Sequence, residues 1–483
     1  MTTPMLFPTL EFAVFFVVVF VANWLLRPVS AIGWRIMILV ASLYFYGYWD
    51  ARFVALLLGS ILFNHLLGER IGACLDDGEP TRASRWWVRI AVVGNLAVLG
   101  WFKYYGFFSL QVANWFEDVG IEVRPALLDV LLPVGISFFT FQALSYVIDI
   151  GRGHLRPMGL LDFAVYLSFF PQLVAGPIVR ATEFLPQLLH RPDPRFVRSG
   201  EAFWLILAGL FKKVVISSYL ADSIVDRVFA VPGDYNAVDV LIAVYAYAIQ
   251  IYADFSGYTD IAIGVALLLG FRFPQNFDAP YRSLSVQDFW RRWHMTLSRW
   301  LRDYLYIPLG GNRGGRFMTY RNLMLTMVLG GLWHGAAWTF VVWGAIHGGA
   351  LAVERAVRER WDRSDRQAYF SPAVRPVVQW IATFNVVCLA WVFFRSSSLT
   401  NAWTMLGRLT VWGEPTQLAS LAIVAVITGA IAMQFVSIST VQRAQAVFAR
   451  MSWAVQGAVF GVALVAIDVL GPEGVAPFIY FQF

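Results

Sequence analysis

LEFAVFFVVVFVANWLL, residues 10–26, decides the fold class: a near-unbroken apolar run whose single charge is Glu11. Residues 1–8 hold no Lys or Arg, and the run closes at Asn23, Trp24 and Arg27 with no small-residue cleavage site. Secretory leaders need a cationic start and such a site. The run therefore reads as a retained first membrane helix. The rest of the chain has the same character. Its 483 residues are 58% apolar, 16% aromatic and only 14% charged, with a mean hydropathy of +0.61, whereas soluble chains average about 25% charged residues. Intrinsic disorder, collagen-like repeats and a disulfide scaffold are excluded, because they require high charge, a glycine period or many cysteines. The cysteines are two, Cys74 and Cys388.

The net charge of +6 comes from 37 basic against 31 acidic residues, and only Lys103, Lys212 and Lys213 among the basic ones are lysines. In a membrane chain this excess fits cytoplasmic loops lying against anionic lipid, not nucleic-acid binding. Crossing a hydrocarbon core of about 30 Å takes roughly 20 mostly apolar residues. Apolar segments fall at 10–26, 36–49, 53–67, 88–107, 127–148, 203–220, 238–252, 261–271, 323–353, 377–394, 418–435 and 455–469. Several are short enough to be re-entrant, so the expectation is an all-α polytopic bundle of roughly 11 crossings plus re-entrant and interfacial helices, in one integral domain over residues 1–483. Arginine-rich connections at 82–89, 180–198, 282–316, 355–375 and 443–450 are expected on the cytoplasmic side. Those at 117–122, 233–239 and 414–417 are acidic or neutral and fit the opposite side. No repeat of fixed period is visible.

Ionisable groups at membrane depth cost roughly 2.5–3.5 kcal/mol on insertion scales, so those present are functional candidates. The string WHGAAW (333–338) places His334 near the middle of an apolar stretch, behind Gly330 and Gly331. A glycine pair allows close approach of backbone or substrate and can interrupt the helix. A packed structural imidazole is one reading. Trp333 and Trp338 favour another, in which they wall a cavity around the ring. His347 would stand about 20 Å away along a straight helix and reads as structural unless the chain turns.

In FWRRWHMTLSRWLRDYLY, Val286, Trp290, Trp293, Leu297, Leu301 and Tyr304 recur every three or four residues, while Arg291, Arg292, Arg299 and Arg302 lie on other faces. This predicts an interfacial amphipathic helix near 285–307, with guanidinium groups toward water and lipid phosphate. His294 falls with the stripe and so faces the protein. It is either a packed histidine or part of the chemistry. YADFSGYTD (252–260) sets Asp254, Ser256 and Tyr258, candidates for binding substrate or donor, between apolar segments. Asp260 resembles an N-cap of the next helix, and the arginines of 282–302 are alternative partners for both carboxylates. HExxH, GxxxxGK[ST], GxSxG and paired CxxC are absent, and the six histidines are scattered, so no metal, nucleotide or serine-hydrolase site is supported. The catalytic core is expected near 252–350.

These strings, together with MLFPTLEF (5–12), LPVGISFFTFQALSYVIDI (132–150), FFPQLVAGPIVR (169–180), FFR (393–395) and FIYFQF (478–483), run the length of the chain. In their order it resembles the membrane-bound O-acyltransferases, in particular the bacterial branch holding the membrane subunits of alginate O-acetylation and of teichoic acid D-alanylation. The resemblance implies a helical ring around a funnel, an essential histidine matched by His334 and a second polar position matched by His294. It also implies multi-pass residence in a bacterial inner membrane, acetyl-CoA as acyl donor substrate with no bound cofactor, and a periplasmic or membrane-anchored acetyltransferase partner. The acceptor would be an exported polysaccharide; alginate, cellulose and peptidoglycan are all served by similar subunits.

In that setting a neutral imidazole with an ordinary pKa near 6.5 suits removal of a hydroxyl proton. His294 or backbone N–H groups near Gly330 and Gly331 are then expected oxyanion donors. Arg291, Arg292, Arg299 and Arg302 are expected to receive donor phosphates or lipid. The competing readings are a transporter or flippase of a lipid-linked or acyl intermediate, a D-alanyl or other acyl-transfer subunit, and a structural subunit that docks an extracytoplasmic transferase.

Overall fold

A computed structural model describes residues 5–120, 132–174, 176–190, 192–361, 371, 373–472 and 478–479. The expected features at 121–122, at 127–131, within 362–370 and at 480–483 lie outside the described residues. The described chain is helical and contains no strand. Tertiary contacts divide it into two compact units, residues 1–202 with 262–274, and residues 203–261 with 275–483.

In the first unit, α1 (Leu10–Leu26), α2 (Ala31–Gly47), α3 (Ala51–Ala73) and α4 (Arg82–Asp118) each begin at an oxygen-bearing N-cap, Thr9, Ser30, Asp50 and Thr81. Each side chain accepts an otherwise orphaned N–H of the first turn. They are followed by α5 (Ile136–Gly151), α6 (Leu160–Ser168) and α7 (Ala181–Leu189). Two buried polar groups of this unit show how such side chains are satisfied. Asn64 and Asn95 exchange amide hydrogen bonds of 3.1 and 2.7 Å between α3 and α4. The buried Arg27 lies over the Trp34 ring at 4.2 Å and donates to the Leu269 carbonyl at 2.8 Å.

In the second unit, the helical path α8 (Ser199–Ala230, within the unit from Phe203) contains two π-helical stretches, Phe211–Ser217 and Ala221–Val225. Next comes α9 (Ala237–Leu268), whose residues from 262 onward belong to the first unit. The remaining helices are α10 (Val286–Arg292), α11 (Met295–Leu301), α12 (Gly315–His334), α13 (Trp338–Trp361), α14 (Val374–Arg395), α15 (Leu399–Arg408), α16 (Leu421–Met433), α17 (Ile438–Arg450) and α18 (Trp453–Leu470). Among the described residues seven helices are long and apolar enough to cross a membrane, or eight if α16 and α17, bent by 93°, form one span. The apolar helices α1, α2 and α5 are shorter, so length and composition support seven or eight of the roughly eleven expected crossings.

Three local expectations are corrected. The segments 238–252 and 261–271 are not separate: α9 runs through YADFSGYTD without a break, so Asp260 sits inside a helix and caps nothing. The stretch 323–353 is two helices, because the chain turns at 335–337; the break comes after His334, and Gly330 and Gly331 stay helical. A Cβ on Gly331 would stand 2.2 Å from the Phe340 carbonyl oxygen, and one on Gly344 would stand 2.4 Å from that of Met327. These glycines therefore let α12 and α13 touch backbone to backbone. Finally, the expected single helix at 285–307 is interrupted. His294, at φ +41° and ψ +56°, ends the path of α10 and precedes α11, and residues Arg302–Tyr306 continue as a π-helical turn.

Candidate functional site

The turn after α12 folds α13 back, so His334 and His347, far apart on a straight helix, stand on either side of one indole. Trp343 is 5.0 Å from the His334 ring and 4.9 Å from the His347 ring, centroid to centroid. The rings packed on His334 are Trp333 at 4.9 Å, Trp343 at 5.0 Å and Phe394 at 5.2 Å, all steeply inclined to it. Edge-to-face packing of this kind orients a ring. His334 is 4% exposed. Trp338, expected in this wall, is 52% exposed; Trp343 and Phe394, contributed by α13 and α14, complete the wall beside Trp333.

His294 reaches the same place from another element. Its ring lies 6.2 Å from Trp333, so the two histidines flank one indole. The Nδ1 atom of His294 is 3.3 Å from Asn276 Oδ1, which also accepts from the Thr296 backbone N–H at 3.2 Å and hydroxyl at 2.7 Å. The His294 Nε2 atom is buried and has no hydrogen-bond partner among the described residues. Phe255 of α9 packs edge-on against the ring at 4.7 Å and 89°. Complete burial pushes the His294 pKa down to about 3, so the ring is neutral near pH 7. A positive φ is unusual for histidine and costs energy that the surrounding contacts must offset. A strained backbone and an unpaired buried nitrogen are both uncommon in a packed interior.

Beside these rings opens a cavity of about 750 Å³ walled by Trp290, Arg291, Arg299, Leu301, Arg302, Met327, Glu354, Arg355 and Arg358, among others. Three of the four arginines singled out from the sequence line it, joined by Arg355 and Arg358 of α13. Arg292 does not: it pairs with Asp278 at 2.8 Å and with Asp288 at 3.0 Å. Part of the cationic wall is internally paired, Arg358 with Glu354 at 2.6 Å and Arg355 with Glu359 at 2.9 Å. His334 is not among the lining residues. The wall residue Trp290 touches Trp343 at 5.7 Å, so one indole stands between cavity and imidazole. Leu301, also in the wall, comes within 3.3 Å of where a Gly330 Cβ would be, one helical turn before His334.

The carboxylates of YADFSGYTD are held not by the arginines of 282–302 but by the adjacent lysines of α8. Lys213 pairs with Asp254 at 2.5 Å, and Lys212 pairs with Asp260. Ser256 is buried, and Tyr258 packs on Phe478 at 4.5 Å. Among the described residues no group of His, Cys, Asp and Glu has the makings of a metal site. Sequence reasoning passed over Asn276, Trp343, Phe394 and the two lysines. The lysines carried a signal: two adjacent ammonium groups in an apolar run require acidic partners.

The described chain is a helical membrane protein whose buried His294, His334 and His347 lie among aromatic rings. The family model of the membrane-bound O-acyltransferases matches residues 90–398, and the chain belongs to that family, as a multi-pass membrane protein. It is 42% identical to the "probable alginate O-acetylase AlgI" of Azotobacter vinelandii, over 85% of this chain and 79% of that protein. It is 38% identical to the peptidoglycan O-acetyltransferase of Helicobacter pylori, over 76% and 72%. The teichoic acid D-alanyltransferase of Streptococcus thermophilus is 29% identical over 56% and 69%.

Proposed function

We propose that this chain moves an acetyl group from cytoplasmic acetyl-CoA to, or towards, hydroxyl groups of an exported polysaccharide at a bacterial inner membrane, with His334 as general base. The placement of His334 carries the reading: a buried imidazole fixed by three aromatic rings, sharing Trp333 with the neutral His294. In the reaction the neutral imidazole takes the proton of the attacking hydroxyl, the oxygen adds to the thioester carbonyl, and the C–S bond breaks as the ester forms. The proton held on the imidazole then passes to the departing thiolate. A positioned base contributes about 10²- to 10⁴-fold. With its Nδ1–H donated to Asn276 Oδ1, the neutral His294 presents a bare Nε2, which suits it to accept a hydrogen bond from the attacking hydroxyl.

Arg291, Arg299 and Arg302 form the docking wall for donor phosphates, whose oxygens match the guanidinium fork. A periplasmic or membrane-anchored acetyltransferase partner completes delivery to the glycan. Higher identity to the O-acetylating relatives than to the D-alanylating one favours acetyl as the transferred group. The test is reconstitution in proteoliposomes with radiolabelled acetyl-CoA and a panel of alginate, peptidoglycan and cellulose fragments. Saturable CoA release with label on a glycan or partner is expected. Export of a labelled carrier with no acyl transfer would assign a transporter instead.

A further inference from the structure

Asp254 holds more than Lys213. One carboxylate oxygen meets the Lys213 ammonium at 2.5 Å, and the other accepts the backbone N–H of Ile479 at 2.8 Å. All three groups are buried, Lys213 at 1%, Asp254 at 2% and Ile479 at 3% exposure. The neighbouring Phe478 is fully buried, with its ring 4.5 Å from Tyr258 and 5.7 Å from Phe255. Residues 478–479 therefore fasten onto Asp254, Phe255 and Tyr258, which lie within little more than one turn of α9. Phe255 in turn is the ring packed edge-on against His294 at 4.7 Å.

The lysine reaches this point because two glycines let α8 and α9 cross in backbone contact. A Cβ on Gly209 would lie 2.5 Å from the Gly257 carbonyl oxygen, and one on Gly257 would lie 2.7 Å from that of Gly209 and 3.1 Å from the Lys213 backbone nitrogen. Lys213 itself belongs to the π-helical stretch Phe211–Ser217, a departure from α-helix that recurs at functional sites.

We propose that Asp254, its charge balanced by Lys213, is a latch: it holds the segment Phe478–Ile479 against Phe255, and so sets the orientation of His294 beside Trp333. Asp254 and Phe478 are positioning residues, acting on the His294 ring through Phe255, and Lys213 serves to neutralise the buried carboxylate. A buried ion pair is poor evidence for stability, since apolar residues of similar volume replace such pairs at little or no cost. A carboxylate that also accepts a distant backbone N–H has a further task, and an apolar replacement cannot perform it. The role rests on the reading of His294 and His334 as the reacting face.

The experiment uses the full chain with Cys74→Ser and Ile479→Cys, labelled with a membrane-permeant maleimide, alongside acetyl-CoA turnover. Two paired replacements separate charge from latch. Lys213→Met with Asp254→Leu removes both charges and the acceptor, whereas Lys213→Met with Asp254→Asn keeps an oxygen for the Ile479 N–H. The latch predicts that the Met/Leu chain inserts at the parental level, labels at position 479 and loses kcat, with the KM for acetyl-CoA unchanged. The Met/Asn chain is expected to regain both protection and kcat. Phe478→Ala, which leaves the ion pair intact, should lower kcat, and Phe478→Leu should restore part of it.

Protection of position 479 in the Met/Leu chain would overturn the latch, and labelling with parental kcat would overturn its positioning role. Failure of both paired chains to insert would also count against it, since the pair would then be a stability element. Active His334→Ala would instead overturn the site reading, and the labelling result would stand apart from it.

Discussion

At the α8–α9 crossing, Gly209 and Gly257 bring two backbones together around Lys212, Lys213, Asp254 and Asp260. At the α12–α13 crossing, Gly331 and Gly344 do the same around His334, Trp343 and His347. The backbone device is shared, and small residues let helices approach at both places. The side chains delivered are opposite in kind. The first crossing neutralises full charges by pairing them, and the second surrounds imidazoles with aromatic rings that offer no counter-charge. Low-dielectric surroundings penalise an unpaired ion far more than an unpaired neutral ring. The charged crossing therefore depends on matched partners, while the aromatic crossing tolerates loss of a polar group and fails by crowding.

The sharpest way to break this contrast is to remove one charge. Asp254→Ala leaves the buried Lys213 ammonium without its carboxylate, a loss of about 3–5 kcal/mol for a buried pair. Little inserted protein is expected on detergent-extracted gel filtration, whereas His334→Ala should elute at the wild-type level. Crowding comes next. Gly331→Val places methyl groups where the Phe340 carbonyl lies, so α12 and α13 must separate. The expected result is a lower melting temperature together with loss of turnover, and an unchanged melting temperature would reject backbone contact at that crossing.

A smaller effect is expected at the cavity wall. Arg291→Glu reverses an exposed charge facing the cavity, where an ion contact is worth about 1 kcal/mol or less. The KM for acetyl-CoA should rise about fivefold at most with kcat retained and the effect reduced by salt; no change would leave Arg291 as a lipid contact.

A separate effect concerns pH. The folded pKa of His294, about 3, lies below the value near 6.5 of an unfolded chain. The unfolded chain thus binds a proton that the folded one refuses, and stability contributed by this residue falls as pH drops through 6.5. His294→Gln should flatten that acid loss in melting temperature and lower turnover, without altering the shape of the turnover pH profile. A changed profile shape would show that His294 titrates during the reaction.

Much of this was legible in the sequence where a residue type carries its own constraint. Of the stripe, Val286, Trp293, Leu297, Leu301 and Tyr304 are buried as the spacing predicted, whereas Trp290 is half-buried in the cavity wall; His294 is buried with them, although the helix is broken at that residue. The break was hidden because a left-handed histidine leaves no mark in residue type. Asp260 looked like a cap because aspartate favours caps, and the lysine that lets α9 run past it lies on a separate helix. The aromatic box was half visible: Trp333 is adjacent in sequence to His334, but Trp343 and Phe394 arrive only through the turn at 335–337 and the packing of α14. Long-range partners of this sort are fixed by how helices cross, and no local period records them.

The central claim is that His334 takes the proton from the attacking hydroxyl. Single-turnover CoA release from acetyl-CoA, measured in proteoliposomes holding equal amounts of inserted wild-type and His334→Ala protein, addresses it most directly. A loss of about 10²-fold or more is predicted for His334→Ala at unchanged donor affinity, whereas release at the wild-type rate would contradict the account.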